Sequence, residues 1–247
     1  MLNGFWKLTW VEAKVFMREP MGFVIPLAFP VILFVLLGRS LRFGELETTA
    51  AVETPFNLPI LFALLIALQA VVSLVVIISI YREGGILKRL RATPLSPVTI
   101  LSAHVVVKLA FTVVSLGLLV LAGRQFFPGA MDVPMVSFTA ALLLSTLSIL
   151  SLGFVIASLV PTSRFARPIV AAFLYPMIAL SGLFFTLDQL PYSLQIVAWG
   201  LPTTHSVTLM QGIWDGSGWT AHWGSVAGLV LMFGVSVWIS TKVFRWE

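Results

Sequence analysis

Tyr81-Arg82-Glu83-Gly84-Gly85-Ile86-Leu87-Lys88-Arg89-Leu90-Arg91-Ala92-Thr93-Pro94-Leu95-Ser96-Pro97 is a polar stretch set between two apolar runs, about residues 56–80 and 98–122. Each run has the roughly 20 residues that a helix needs to cross a bilayer. The stretch carries Arg82, Lys88, Arg89 and Arg91 against one acid, Glu83. Gly84-Gly85 punctuate the preceding helix, since glycine loses the most conformational freedom on folding. Pro94 and Pro97 lack the amide hydrogen that a continuing helix would use. Between those marks the spacing predicts a short, basic, water-facing helix over 81–97 that joins two membrane spans.

The rest of the chain agrees with that join. Of its 247 residues 59% are apolar and 10% charged, and the mean hydropathy is +1.02. Such a composition describes an all-α integral membrane protein, one domain over residues 1–247. Spans are expected at about 21–38, 56–80, 98–122, 134–160, 169–185 and 220–243, six in all. Pro26 and Pro30 fall in the first and Pro176 in the fifth, where neighbouring helices can satisfy the freed carbonyls. Residues 161–168, with Arg164 and Arg167, read as a tight turn.

Two segments are neither spans nor simple loops. In residues 1–20, Lys7, Lys14 and Arg18 share one stripe of a helical wheel, and Phe5, Trp6, Trp10, Phe16 and Met17 fill the remainder. That pattern suits an amphipathic helix lying in the headgroup plane, the alternative being a plain juxtamembrane anchor. Residues 188–219 are apolar, but Pro191, Gly200, Pro202, Gly212, Gly216 and Gly218 break them up. They read as two short re-entrant helices packed on protein at the outer leaflet, because irregular backbone cannot face lipid. Ser145, Ser148 and Ser151, and the pair Gly224-xxx-Gly228, read as helix packing, with dimerisation the alternative for the glycines.

Charge sets the orientation. With the N-terminus inside, the cytoplasmic segments hold Lys7, Lys14, Arg18, Arg82, Lys88, Arg89, Arg91, Arg164, Arg167, Lys242 and Arg245, whereas the outside holds Arg39, Arg42 and Arg124. The positive-inside rule then places both termini and the 81–97 stretch in the cytoplasm of a multi-pass protein of the cell membrane. The same rule accounts for the basic balance, so no nucleic-acid partner is expected. No secretory signal fits residues 1–20, and the first membrane helix is expected to do the targeting.

Most chemistry is excluded by what the sequence lacks. Cysteine is absent, and His104, His205 and His222 have no ligand spacing, so no metal site is expected. There is no G-x-x-x-x-G-K-[ST], H-E-x-x-H or G-x-S-x-G. No carboxylate falls inside an expected span, where an ion-coupled carrier would hold its ion. A catalytic role is therefore not expected, and neither is a resident cofactor. A membrane-embedded enzyme, an assembly factor or a secondary carrier remains the alternative. His104 and Lys108 stand one turn apart in the third span, with Lys108 about 15 Å in at 1.5 Å per residue. Either Lys108 snorkels to the cytoplasmic rim, with Glu12 or Glu83 as counter-charge, or the pair lines an inner vestibule that attracts anionic cargo.

Residues 82–90, followed by Ala92-Thr93-Pro94-Leu95-Ser96-Pro97, resemble the cytoplasmic loop of ABC-2-type permeases, the membrane subunits of ATP-binding-cassette exporters of drugs (the daunorubicin-resistance kind among them), lipids and polysaccharides. The family pattern is R-E-x-G-T-L-E-x-L, then T-P-L-S-P. Ile86 stands for the usual Thr and Lys88 for a frequent Glu. Leu180-Ser181-Gly182-Leu183-Phe184-Phe185, Leu190-Pro191 and Leu201-Pro202-Thr203-Thr204-His205 resemble the family's fifth helix and external hairpin. Gln211 stands where an Arg is common.

The resemblance implies a permease without an ATP site, driven by separate ATPase subunits that carry ATP and Mg, and paired with a second permease copy, the same or different. It implies that the 81–97 coupling helix and the N-terminal helix seat the ATPase, through Arg82, Glu83, Gly84, Gly85, Leu87, Lys88, Arg89, Leu90 and Arg91 with Lys7, Lys14 and Arg18. It also implies a path for hydrophobic or amphiphilic cargo between spans 2 and 5, for which Phe62, Gln69, Ser73, Phe173, Met177, Phe184 and Phe185 are the candidates by position.

Overall fold

The computed structural model describes residues 2–18, 20–40, 57–85, 97–127, 134–160, 162–184 and 186–243. Leu87, Lys88, Arg89, Leu90, Arg91 and Phe185 lie outside them. Among the described residues the chain is helical and has no strand. In order come α1 (Leu2–Arg18), α2 (Pro20–Ser40), α3 (Leu58–Glu83), α4 (Pro97–Phe126) and α5 (Met135–Leu159). After them follow α6 (Ser163–Ala179), a 3-10 turn at Leu187–Gln189, α7 (Tyr192–Trp199), α8 (Pro202–Trp214), α9 (Gly218–Ala221) and α10 (Trp223–Val243).

The helix ends follow from local chemistry. Asn57 caps α3 by accepting the Ile60 N–H at 3.2 Å, and Pro59 sits in the first turn, where its missing N–H has no partner to lose. At the other end the Gly84 N–H returns to the Ile80 carbonyl at 2.9 Å. Gly85 then takes φ +66°, the left-handed turn that ends many helices. Pro202 opens α8 in the same way that Pro59 serves α3.

Four described helices are long and apolar enough to cross a membrane: Leu58–Glu83, Ser102–Phe126, Met135–Leu159 and Trp223–Lys242. A shorter apolar stretch, Leu27–Ser40, belongs to α2. The fifth expected span is displaced. In place of a turn at 161–168 and a span at 169–185, α6 occupies Ser163–Ala179 and holds Pro168 and Pro176 inside it. Thr162 is extended (φ −142°, ψ 159°) and lets the helix begin at once, carrying Arg164 and Arg167 on its first turns. Its 17 residues reach about 26 Å at 1.5 Å each, short of a hydrocarbon core of about 30 Å.

α3 is the central helix and lies against α2, α4, α5, α6 and α8. It is hydrophobic all round, as a helix enclosed by others should be, and Ile60, Phe62, Leu64, Leu74 and Ile78 are fully buried. α5 packs between α3 and α10, where the Ser148 hydroxyl donates to the Leu229 carbonyl at 3.0 Å. Close approaches fall at glycine: a Cβ on Gly153 would stand 3.1 Å from Val71, and one on Gly228 would stand 2.8 Å from the His205 ring. Gly228 thus packs within the chain, against α8, while Gly224 faces open space. Outward, α4 exposes Val113, Val114 and Leu121, and α10 exposes Val230, Leu231 and Trp238.

Candidate functional site

One group of polar side chains lies where α1 meets α3 and α4. α1 lies on α4 and touches α2. Its exposed residues include Lys7, Lys14 and Arg18, together with Trp6 and Trp10. The side that packs carries Thr9, Glu12 and Phe16, spaced three and four apart on one helix face. The Glu12 carboxylate accepts from the Tyr81 hydroxyl of α3 at 3.1 and 3.2 Å, and His104 Nδ1 of α4 stands 3.5 Å from it. The Tyr81 and His104 rings meet edge to face at 5.5 Å. One acid therefore pins the amphipathic helix to two membrane helices. Burial pushes the Glu12 carboxyl up from its ordinary value, while the Tyr81 hydrogen bond and the Lys108 charge pull it down.

Lys108 turns to α3 and α1. It is 6% exposed, its ammonium donates to Ser73 Oγ at 2.5 Å, and it stands 4.0 Å from the centroid of the Phe16 ring. Phe16 also rests on Phe111 at 4.5 Å. These groups bound a small open cleft with room of about 30 Å³, which Gln69 and Ser73 of α3 and Thr112 and Ser115 of α4 also line.

The start of the polar stretch is tied to the far side of the bundle. Arg82 donates to the Ala157 carbonyl at 3.3 Å and to the Val160 carbonyl, both at the C-terminal end of α5. Those carbonyls lie where an α-helix runs out of internal donors and where positive charge is favoured. Glu83 accepts the backbone N–H of Ser163, the first residue of α6, at 2.9 Å. A carboxylate at a helix N-terminus is the complementary arrangement. Neighbouring side chains of α3 thus hold the closing end of one helix and the opening end of the next.

The candidates placed by position separate into groups. Gln69, Ser73 and Lys108 share the cleft. Phe62 is fully buried and packs edge-on to Phe34 at 5.5 Å. Met177 is buried in α6, and its carbonyl accepts from the Thr203 hydroxyl of α8 at 2.9 Å. Phe173 and Phe184 are exposed. Sequence reasoning set Glu12 at the rim as a possible counter-charge and passed over Tyr81 and Thr112. The available signal was the spacing of Glu12 with Thr9 and Phe16, which puts an acid on the helix face opposite the basic stripe.

Residues 3–214 match a sequence family described as ABC-2 type transporter. A comparison with curated proteins gives no match.

Proposed function

Because this chain belongs to the ABC-2 type transporter family, we propose that it is the permease subunit of an ATP-driven exporter of hydrophobic or amphiphilic cargo, worked by a separate ATPase. The observation that carries the reading is the tie at the end of α3. Through Arg82 and Glu83 a load applied to the 81–97 stretch reaches α3, the end of α5 and the start of α6 together. Hydrogen-bond networks joined to rigid helices are one means by which coupling is carried between distant sites.

In this account Lys88, Arg89 and Arg91 meet the ATPase in the cytoplasm, with Lys7, Lys14 and Arg18 on the exposed side of α1 beside them. Arg82 and Glu83 transmit the load into the bundle. α1 follows because Glu12 joins it to Tyr81, one residue before Arg82. Both termini lie in the cytoplasm, six crossings carry the chain through the bilayer, and α7 and α8 form the re-entrant hairpin at the outer face. A second permease copy completes the path, to which the exposed Phe173 and Phe184 of α6 and its following turn belong.

The chain, tagged and extracted from its native membrane, should co-purify with an ATP-binding subunit and a magnesium-dependent ATPase activity. A pure, monodisperse chain that moves cargo with no ATPase in the preparation would overturn the proposal.

A further inference from the structure

Thr203-Thr204-His205, three successive residues at the start of α8, hold the closing ends of two other helices. The Thr203 hydroxyl donates to the Met177 carbonyl at 2.9 Å, and the Thr204 hydroxyl to the Leu180 carbonyl at 3.2 Å. Met177 lies in the last turn of α6 and Leu180 caps it, where a helix has run out of donors of its own. His205 Nε2–H donates to the carbonyl of Trp199, the last residue of α7, at 3.0 Å. Thr203 and Thr204 are fully buried, and α8 is itself seated on α5 and α10. The closing end of α6 is thus latched to a buried helix.

The opening end is held differently. Its tie is the bond from the Ser163 N–H to Glu83, which lies at the surface, where water competes for both partners. Between the ends, Ala166, Val170, Leu174 and Met177 form one narrow buried seam, and the helix lies along α3. Apolar burial is not directional, so the hydrogen bonds decide where each end sits. Pro176 stands one turn before the latch. It withholds the N–H that would close on the Ala172 carbonyl, and a helix bends most readily at such a place. We infer that α6 is a lever that turns on Thr203 and Thr204, so that displacing Glu83 swings its opening end across α3. Under the permease reading, on which this use of the swing rests, the movement alters the opening between spans 2 and 5.

The chain has no cysteine, so introduced pairs can carry spin labels without background. Phe165→Cys with Trp238→Cys reports the opening end of α6, and Tyr175→Cys with Trp223→Cys its closing end; all four side chains are exposed. Distances between the labels are measured on the purified full-length chain in nanodiscs, diluted with unlabelled chain. Glu83→Ala should shift or broaden the first pair and leave the second as in wild type. Thr203→Val with Thr204→Val should shift the second pair, and Thr203→Ser with Thr204→Ser, which keep the hydroxyls, should restore it. Should the double valine variant fail to fold, Thr204→Val alone, whose bond is partly buried, carries the test. A second pair that moves in Glu83→Ala with both threonines in place would overturn the inference. So would a first pair that Glu83→Ala leaves unchanged, or a folded valine variant whose second pair matches wild type. The measurement needs neither an ATPase nor cargo, so its failure leaves the permease reading standing.

Discussion

A chain carrying Arg82→Ala together with Glu83→Ala should still bind its ATPase and yet export about tenfold more slowly, within the range expected when a coupling element is lost. Arg82 supplies donors to two carbonyls at the end of α5, and Glu83 supplies the acceptor for the first N–H of α6. Without Arg82 those carbonyls must find other donors, at about 1–3 kcal/mol. The same change disconnects the start of the polar stretch from both helices. The residues proposed to touch the ATPase, Lys88, Arg89 and Arg91, are left in place. Partner recovery and ATP-driven efflux therefore separate, and measuring both on one preparation checks the prediction. Wild-type efflux from the double variant would show that the load travels by another route.

At Glu12 the expected effect is on how α1 is held. Glu12→Ala removes the acceptor of the Tyr81 hydroxyl and the carboxylate beside His104. A typical hydrogen bond contributes about 0.5–1.5 kcal/mol net, and thermal unfolding in detergent should show a loss of that order. Glu12→Gln keeps an acceptor for Tyr81 and separates the charge from the contact. Burial raises the Glu12 carboxyl above its ordinary value of 4.5, so the folded chain holds that proton more tightly than the unfolded one. The stabilisation is complete below the unfolded value and is lost as pH rises through the folded one. Wild-type stability should therefore decline from about pH 4.5 upward through that window, whereas this contribution is absent from Glu12→Gln. A Glu12→Ala chain that melts with wild type would mean that α1 is held by its apolar contacts alone.

What could be read from sequence was decided by distance along the chain. Asn57-x-Pro59 and Gly84-Gly85 bracket α3 because caps and turns act within a few residues. Lys108 was conspicuous because a charge in an apolar run is rare. Its acceptor, Ser73, lies 35 residues earlier and depends on how α3 and α4 are rotated against each other, which an apolar helix does not announce. For the same reason Phe62, chosen by position for a cargo path, turns out to pack against Phe34 in the core. The contacts of Arg82 with Ala157 and Val160 span 75 and 78 residues, and nothing in the basic stretch itself points to them. The start of α6 was within reach: Thr162-Ser163 is an ordinary helix opening, overlooked because Arg164 and Arg167 suggested a loop.

The most direct test of an ATP-driven permease worked through residues 81–97 is charge reversal at Lys88→Glu, Arg89→Glu and Arg91→Glu together, with ATPase co-purification and ATP-driven efflux read side by side. Partner recovery should fall about tenfold or more, since like charges set against a complementary face cost several kcal/mol. Efflux should fall with it, while the chain remains monodisperse in the membrane. Full partner recovery with full efflux would contradict the account.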